Sequence, residues 1–294
     1  MAYEIRAFQA ADKPQILEIA RRTWSGHDHL PHVIDKWIAD PNSHMYVIDH
    51  ESRVVSVANL KVIEGGRTGW MEGLRVHPRY RKRGLGALMT QHLVKVGSDL
   101  GVERLRLTAA LDNRPSIKLA REIGMSERFR MSVLWKSVSE AKAWKHESVP
   151  IRKIDSDRAF DILQETADLL PGHVVVYYWY ALDATRDNLR EIGKVADFWE
   201  GRREGRTVSL STGLEAEEGD ERVWSCTIYA TDLDAFLSNL SHHLQLAKKL
   251  KLPGLMCIHQ VAFEAAYKQV AWLKRGGHRM RLGLFEKPLA MSHA

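Results

Sequence analysis

The apolar residues in the first half of the chain switch repeatedly between period two and the helical period, and each switch marks an element. Residues 4–7 read as a short strand. From Asp12 or Pro14 the period lengthens, and Ile16, Leu17, Ile19 and Ala20 form a helical stripe. Trp24 to Pro31 mixes Gly, Ser, Asp, Pro and two His and reads as a loop before a second helix over 33–38. Met45 to Ile48 and Val54 to Val62 read as strands joined by a hairpin turn at Asp49-His50-Glu51-Ser52. Gly65-Gly66 marks the next turn, and Trp70 to Val76 is another strand. A helix over 87–100, a strand over 105–109, a helix over 115–123 and a strand over 130–137 follow.

This order, β-α-α-β-β-β-α-β-α-β, predicts an α+β fold with a mixed sheet and helices against it. Lys142 to Lys153 is polar and contains Pro150, so a first domain is expected over 1–145 and a second over 151–294. The start of the second half is hard to read. Its end is clearer: a strand over 223–229, a helix over 233–250, a strand over 255–259, a helix over 263–272 and a strand over 279–285. That is the element order of Trp70 to Trp135 again, which points to a diverged duplication. Val174 to Tyr180 is β-branched and aromatic, and it suits a buried strand joining one sheet to the other.

Composition narrows the class. With 294 residues, 45% hydrophobic and 27% charged, the chain can bury two cores. Two cysteines, Cys226 and Cys257, make neither a disulfide framework nor a zinc cluster. No stretch approaches the roughly 20 apolar residues of a membrane span, so a cytoplasmic protein without a membrane partner is expected. The net charge of +6 is scattered and accompanies no nucleic-acid-binding signature, so no nucleic-acid partner is expected. His27 and His29 lack an obvious third ligand, so no metal is expected.

The sharpest local signal is Arg81-Lys82-Arg83-Gly84-Leu85-Gly86-Ala87, set between the strand residues Leu74-Arg75-Val76 and a helix. Glycines admit close approach of the backbone, the first helical N–H groups point at a shared anion, and basic side chains neutralise it. The pattern is neither G-x-x-x-x-G-K-[ST] nor G-x-G-x-x-G with a ribose-binding acid. A solvated basic turn is the plainer alternative.

Val76-His77-Pro78-Arg79-Tyr80-Arg81-Lys82-Arg83-Gly84-Leu85-Gly86, with its Arg-x-x-Gly-x-Gly core, resembles the GNAT N-acetyltransferase superfamily. A second family pattern follows at Asn113-Arg114-Pro115-Ser116, entering a helix that ends Glu122-Ile123-Gly124-Met125. The resemblance spans residues 3–137. It implies a GNAT-like mixed sheet flanked by helices, acetyl-CoA as co-substrate, and an acetyl group moved directly to a primary amine. Backbone from Arg83 to Ala87 would hold the pyrophosphate, with Arg81 as the side-chain contact and Lys82 beside it. Leu74, Arg75 and Val76 would pair with the pantetheine arm, and Asn113 and Ser116 would lie near the cofactor.

In several relatives a glutamate on this strand is the general base, which makes Glu72 the candidate here. Period-two alternation predicts that it shares a face with Leu74 and Val76. The alternative is a rim carboxylate paired to Arg75 or Arg106. Leu74 is the expected oxyanion donor. The helical tyrosine that protonates the thiolate in many relatives is replaced by Ala120, leaving Ser116 as a substitute donor and a non-catalytic acetyl-CoA sensor as the rival class.

Trp24 is a candidate apolar wall and Asp28 a candidate anchor for the acceptor ammonium; core packing and helix capping are their alternatives. Leu30-Pro31 followed by Trp37, with Met71 to Val76 after it, also resembles the histidine N-acetyltransferase group of vertebrates. A free amino acid is therefore the leading acceptor, ahead of a peptide amine. Thr231-Asp232-Leu233-Asp234 stands where the second half would need a phosphate loop, and its acids would repel pyrophosphate. The second half is expected to be a degenerate GNAT-like domain without catalysis, closing the acceptor pocket or mediating a homodimer.

Overall fold

The computed structural model describes residues 3–23, 28–141, 144–166, 169–274 and 277–290. Strands and helices follow the chain as β1 (Glu4–Ala7), α1 (Lys13–Arg21), α2 (Leu30–Ala39), β2 (Ser43–His50), β3 (Arg53–Ile63), β4 (Thr68–Val76), α3 (Leu85–Asp99), β5 (Arg104–Ala110), α4 (Arg114–Glu122) and β6 (Ser126–Ser137). They continue as β7 (Ile151–Ile154), α5 (Ser156–Glu165), β8 (Val174–Tyr177), β9 (Tyr180–Asp183), α6 (Arg186–Gly193), β10 (Asp197–Arg203), β11 (Arg206–Glu218) and β12 (Glu221–Ala230). Last come α7 (Leu233–Lys249), β13 (Gly254–Gln260), α8 (Ala266–Gln269), α9 (Ala271–Lys274) and β14 (His278–Pro288).

Contacts divide the chain into two units, and neither follows a single cut near residue 150. The first holds Met1–Ala109, Asn113–Glu127 and Phe285–Ala294; the second holds Ala110–Asp112 and Arg128–Leu284. Most of β6, expected to close the first domain, thus belongs to the second unit. The end of β14 belongs to the first. Among the described residues no helix is long and apolar enough to cross a membrane.

In the first unit the strand order is β1-β2-β3-β4-β5, with the end of β14 beyond β5. Pairing is antiparallel from β1 to β4 and parallel between β4 and β5. The hairpin between β2 and β3 turns at Glu51 and Ser52, both at positive φ, a geometry matching the strand twist. On one face α1 and α2 press Ile16, Ile19, Leu30, Ile34 and Trp37 onto Met45, Val47 and Val57. Helix α3 covers the other face: a Cβ on its Gly97 would meet Leu105 and Val102, and one on Gly69 would meet Leu105 and Leu60. Helix α2 starts at Leu30, earlier than its apolar stripe implied, because Pro31 fits the first helical turn.

The register of β3 and β4 contains the feature that shapes the site. Leu60 pairs with Met71 and Asn59 with Glu72, but then Val57 pairs with Arg75 and Ser56 with Val76. Strand β4 therefore carries one extra residue after Glu72, a β-bulge with Gly73 at φ +70°. Only glycine fits there, since a Cβ would come within 2.3 Å of the Trp37 ring.

In the second unit the order is β6-β13-β12-β11-β10-β7, with the start of β14 beside β6. Its core gathers Leu134, Trp224, Cys257, Phe236, Leu240 and Leu244 around α7. Two expectations change here. Val174 to Tyr180 is not one joining strand: the chain reverses at Tyr178, at positive φ, and β8 and β9 form their own two-stranded sheet. The helix expected over 263–272 is broken at Val270, whose backbone is extended.

Candidate functional site

After β4 the chain makes a single 3₁₀ turn over Pro78–Tyr80, pinned by the His77 N–H donating to Val55 O at 2.9 Å. His77 is buried, and burial together with the charges of Arg53 and Arg22 holds its imidazole below the usual value. Its Nδ1 accepts the Arg79 N–H. The exposed residues Arg81, Lys82 and Arg83 follow, with Lys82 at φ +60° and Gly84 at φ +79°.

Gly84 is the N-cap of α3 and supplies no side-chain cap. The first intrahelical bond is Leu88 N–H to Gly84 O at 2.9 Å. The N–H groups of Leu85, Gly86 and Ala87 therefore precede the helical ladder. Gly86 lets α4 approach closely: a Cβ there would stand 3.1 Å from Leu119 Cδ1. Arg81 donates from Nε to Val76 O at 3.1 Å, which ties the basic loop to the end of β4.

Beside this loop the sheet parts. Strands β4 and β5 pair only at Thr68↔Arg104, Gly69↔Leu105 and Trp70↔Arg106 among the described residues. Met71 to Val76 continue past the end of that ladder, and the bulge lies within this stretch. The bulge also corrects the expected face of Glu72. Because of the extra residue, Glu72 shares its face with Arg75, on the α1 and α2 side, while Val76 falls on the α3 side with Met71. Glu72 is half-buried, and its Oε1 accepts from Asn59 Nδ2 at 2.9 Å.

Asp28 is 3% exposed. Its Oδ2 takes the Arg75 Nε–H at 2.6 Å, its Oδ1 takes Arg75 Nη2 at 2.8 Å, and Oδ1 also accepts the Leu30 N–H at the start of α2. The residue expected to anchor a substrate ammonium is instead turned inward, capping a helix and neutralising a buried guanidinium. The Arg75 side chain is held in place as well, donating from Nη1 to Leu74 O at 3.0 Å. Removing one partner of a buried ion pair costs about 3–5 kcal/mol. Asp28→Ala is therefore expected to lower the unfolding free energy measured in urea by an amount of that order, with Asp28→Asn losing less.

Asn113 caps α4, its Oδ1 accepting the Ser116 N–H at 3.3 Å. Ser116 itself is half-buried. Ala120 is fully buried, so its position in the helix carries no hydroxyl. Trp24 and His27 lie outside the described residues. Asn59 was not legible as a site residue, because only the strand register brings it opposite Glu72.

The second-unit elements expected to repeat this order are built differently. Strands β12 and β13 stay paired from Val223↔Gly254 to Ile228↔His259, without a parting. Helix α7 is capped by the Asp232 carboxylate, which accepts the Ala235 N–H at 2.9 Å and pairs with Arg203.

Comparison with known proteins bears on the family and the fold. The acetyltransferase (GNAT) family model matches residues 13–125. The chain is 24% identical over 274 residues to the human protein named Probable N-acetyltransferase 16, covering 85% of this chain and 74% of that one. It is 29% identical over 89 residues to the histidine N-acetyltransferase of Xenopus tropicalis, a match spanning 30% of this chain and 28% of that relative. Among solved structures, a GCN5-related N-acetyltransferase from Sphaerobacter thermophilus aligns over 97% of this chain and 95% of its own, with a TM-score of 0.61 at 13% identity. A tandem GNAT protein from the clavulanic acid biosynthesis pathway aligns over 98% of each chain, with a TM-score of 0.56 at 13% identity. At such identities the structural likeness is one of fold.

Proposed function

Starting from a GNAT-fold, acetyltransferase-like chain, we propose that this protein is a cytoplasmic acetyl-CoA-dependent N-acetyltransferase acting on a primary amine. The observation that carries the proposal is the parting of β4 from β5 beside an uncapped helix start flanked by exposed Arg81, Lys82 and Arg83. These residues fit the group: three helical N–H groups and adjacent cations suit a pyrophosphate. The strand backbone at Leu74, Arg75 and Val76 suits an extended amide-bearing arm. Bound there, acetyl-CoA would supply an activated thioester carbonyl.

The chain's own groups have distinct tasks in this scheme. Glu72 takes the proton of the acceptor ammonium, and the Leu74 N–H donates to the oxygen that gains charge. Ser116 and Asn113 flank the cofactor, and Trp24 remains the proposed acceptor wall. Asp28 has no direct role, since both its oxygens are engaged. The partial likeness to histidine N-acetyltransferase supports a free amino acid as acceptor. The second unit is proposed to be a degenerate, non-catalytic GNAT-like domain, supported by its closed β12–β13 ladder and the acidic cap of α7.

Thiol release from acetyl-CoA, measured with free amino acids, polyamines and peptides, tests the reading. Fast release with one class of amine is the expected result. Ala120, which leaves that helical position without a hydroxyl, favours a second reading as an acetyl-CoA sensor. Tight acetyl-CoA binding without release across the panel would establish that one instead.

A further inference from the structure

The face that carries Glu72 also carries a polar side chain that the acyl-transfer scheme leaves without a task. Asn59 is in the middle of β3, directly opposite Glu72 in the register, and is fully buried. Its Nδ2 donates to Glu72 Oε1 at 2.9 Å and to Ser43 Oγ at 3.3 Å. Its Oδ1 has no hydrogen-bond partner among the described residues. A carboxylate only accepts, so the amide must present its nitrogen to Glu72 and its oxygen away from it. A buried acceptor left unmatched costs stability. An aliphatic side chain would fill the same space without that cost, as Val57 does two residues earlier on the same face. What Asn59 supplies that Val57 cannot is the N–H donated to Glu72.

We propose that Asn59 is a positioning residue for Glu72, fixing the orientation of its carboxylate and keeping it a proton acceptor. The inference rests on Glu72 as general base. A donated N–H stabilises the charged carboxylate, and the in-register pairing makes this donor part of the sheet rather than of a loop. Other charged groups face the same region. Arg75 lies on β4 with Asp28 and His29 beside it, Lys61 lies on β3 with Asp40, and the register places Arg106 of β5 on this side, with Glu64 and Glu286 as partners. None of them is altered by Asn59→Leu, so a shift in that variant reports the loss of the amide.

The test is a carboxyl carbon-13 NMR titration of glutamate-labelled full-length protein, with the Glu72 resonance assigned by its loss in Glu72→Gln. Asn59→Leu removes the amide without adding a charge; Asn59→Asp keeps the shape but sets a second carboxyl against Glu72, and so marks the upper end of the expected shift. The titration midpoint of Glu72 is expected to rise by about one pH unit or more in both variants. The acidic limb of the thiol-release profile should move with it, kcat at pH 7 should fall roughly tenfold, and acetyl-CoA affinity should be unchanged. A midpoint unmoved in Asn59→Leu, with acetyl-CoA still bound, overturns the role of Asn59 and leaves Glu72 as base. Wild-type release by Glu72→Gln removes the base assignment itself, and the positioning role goes with it.

Discussion

Glu72→Gln is expected to slow thiol release by about 10²–10⁴-fold, the range that a positioned general base contributes. Gln is nearly isosteric, and its Oε1 can still accept the Asn59 amide, so the contact at 2.9 Å survives. What is lost is the ability to take a proton from an ammonium. Because the loop at 81–87 proposed to hold the pyrophosphate lies beyond the bulge and uses other groups, acetyl-CoA affinity should be preserved. Single-turnover release and calorimetric acetyl-CoA binding, measured on the same preparation, separate the two effects. A variant that releases thiol at the wild-type rate would show that the amine is deprotonated elsewhere.

Ending the chain at Leu284 is expected to abolish acetyl-CoA binding, although the cut is far in sequence from the loop at 81–87. Phe285 and Glu286 belong to the first unit, and Phe285 is fully buried. Glu286 Oε2 accepts from Arg106 Nε at 2.7 Å, with Arg106 only 2% exposed. Leu289 N–H donates to Glu103 O at 2.8 Å, and Leu289 lies against Gly97 of α3. Breaking a buried ion pair costs about 3–5 kcal/mol, and burying a phenylalanine contributes about 1.5–3 kcal/mol. Together these reach the scale of a whole domain's stability, about 5–15 kcal/mol. Hydrogen exchange should show the amides of β4 and β5 losing protection in the truncated chain. The milder Glu286→Gln should retain binding with a lowered melting temperature, because Arg106 keeps Glu64 at 3.3 Å. Retained binding by the truncated chain would show that the end of β14 is dispensable to the first unit.

Most elements of the first half were legible because their apolar positions repeat cleanly, as in Ile16, Ile19 and Ala20 of α1 and the near-continuous apolar run of β3. The start of the second half was not. In β11 Ser209 and Ser211 are fully buried beside Leu210, and their polarity gives no apolar stripe to read. They are buried because α7 brings Asn239 and His243 to them: Ser211 Oγ donates to Asn239 Oδ1 at 2.8 Å, and His243 Nε2 lies 2.9 Å from Ser211 Oγ. A polar strand can enter a core when another element satisfies its hydroxyls, and hydropathy alone does not reveal that partner. Val174 to Tyr180 misled in the opposite direction, since its β-branched and aromatic run conceals the reversal at Tyr178.

By itself the sequence determined most elements of the first half and the basic, glycine-containing loop at residues 81–87 leading into a helix, because periodicity, glycine placement and charge all act within one or two turns of chain. It also determined that the helix carrying Ala120 offers no hydroxyl at that position. Only the tertiary structure decided which face Glu72 occupies, since a single extra residue at Gly73 reverses the alternation after it and leaves no mark in hydropathy. It alone turned Asp28 onto Arg75, set Asn59 opposite Glu72 and brought Phe285 and Glu286 to the first unit. Each of these depends on residues far apart in sequence, and strand register and burial are properties of the pairing rather than of either segment.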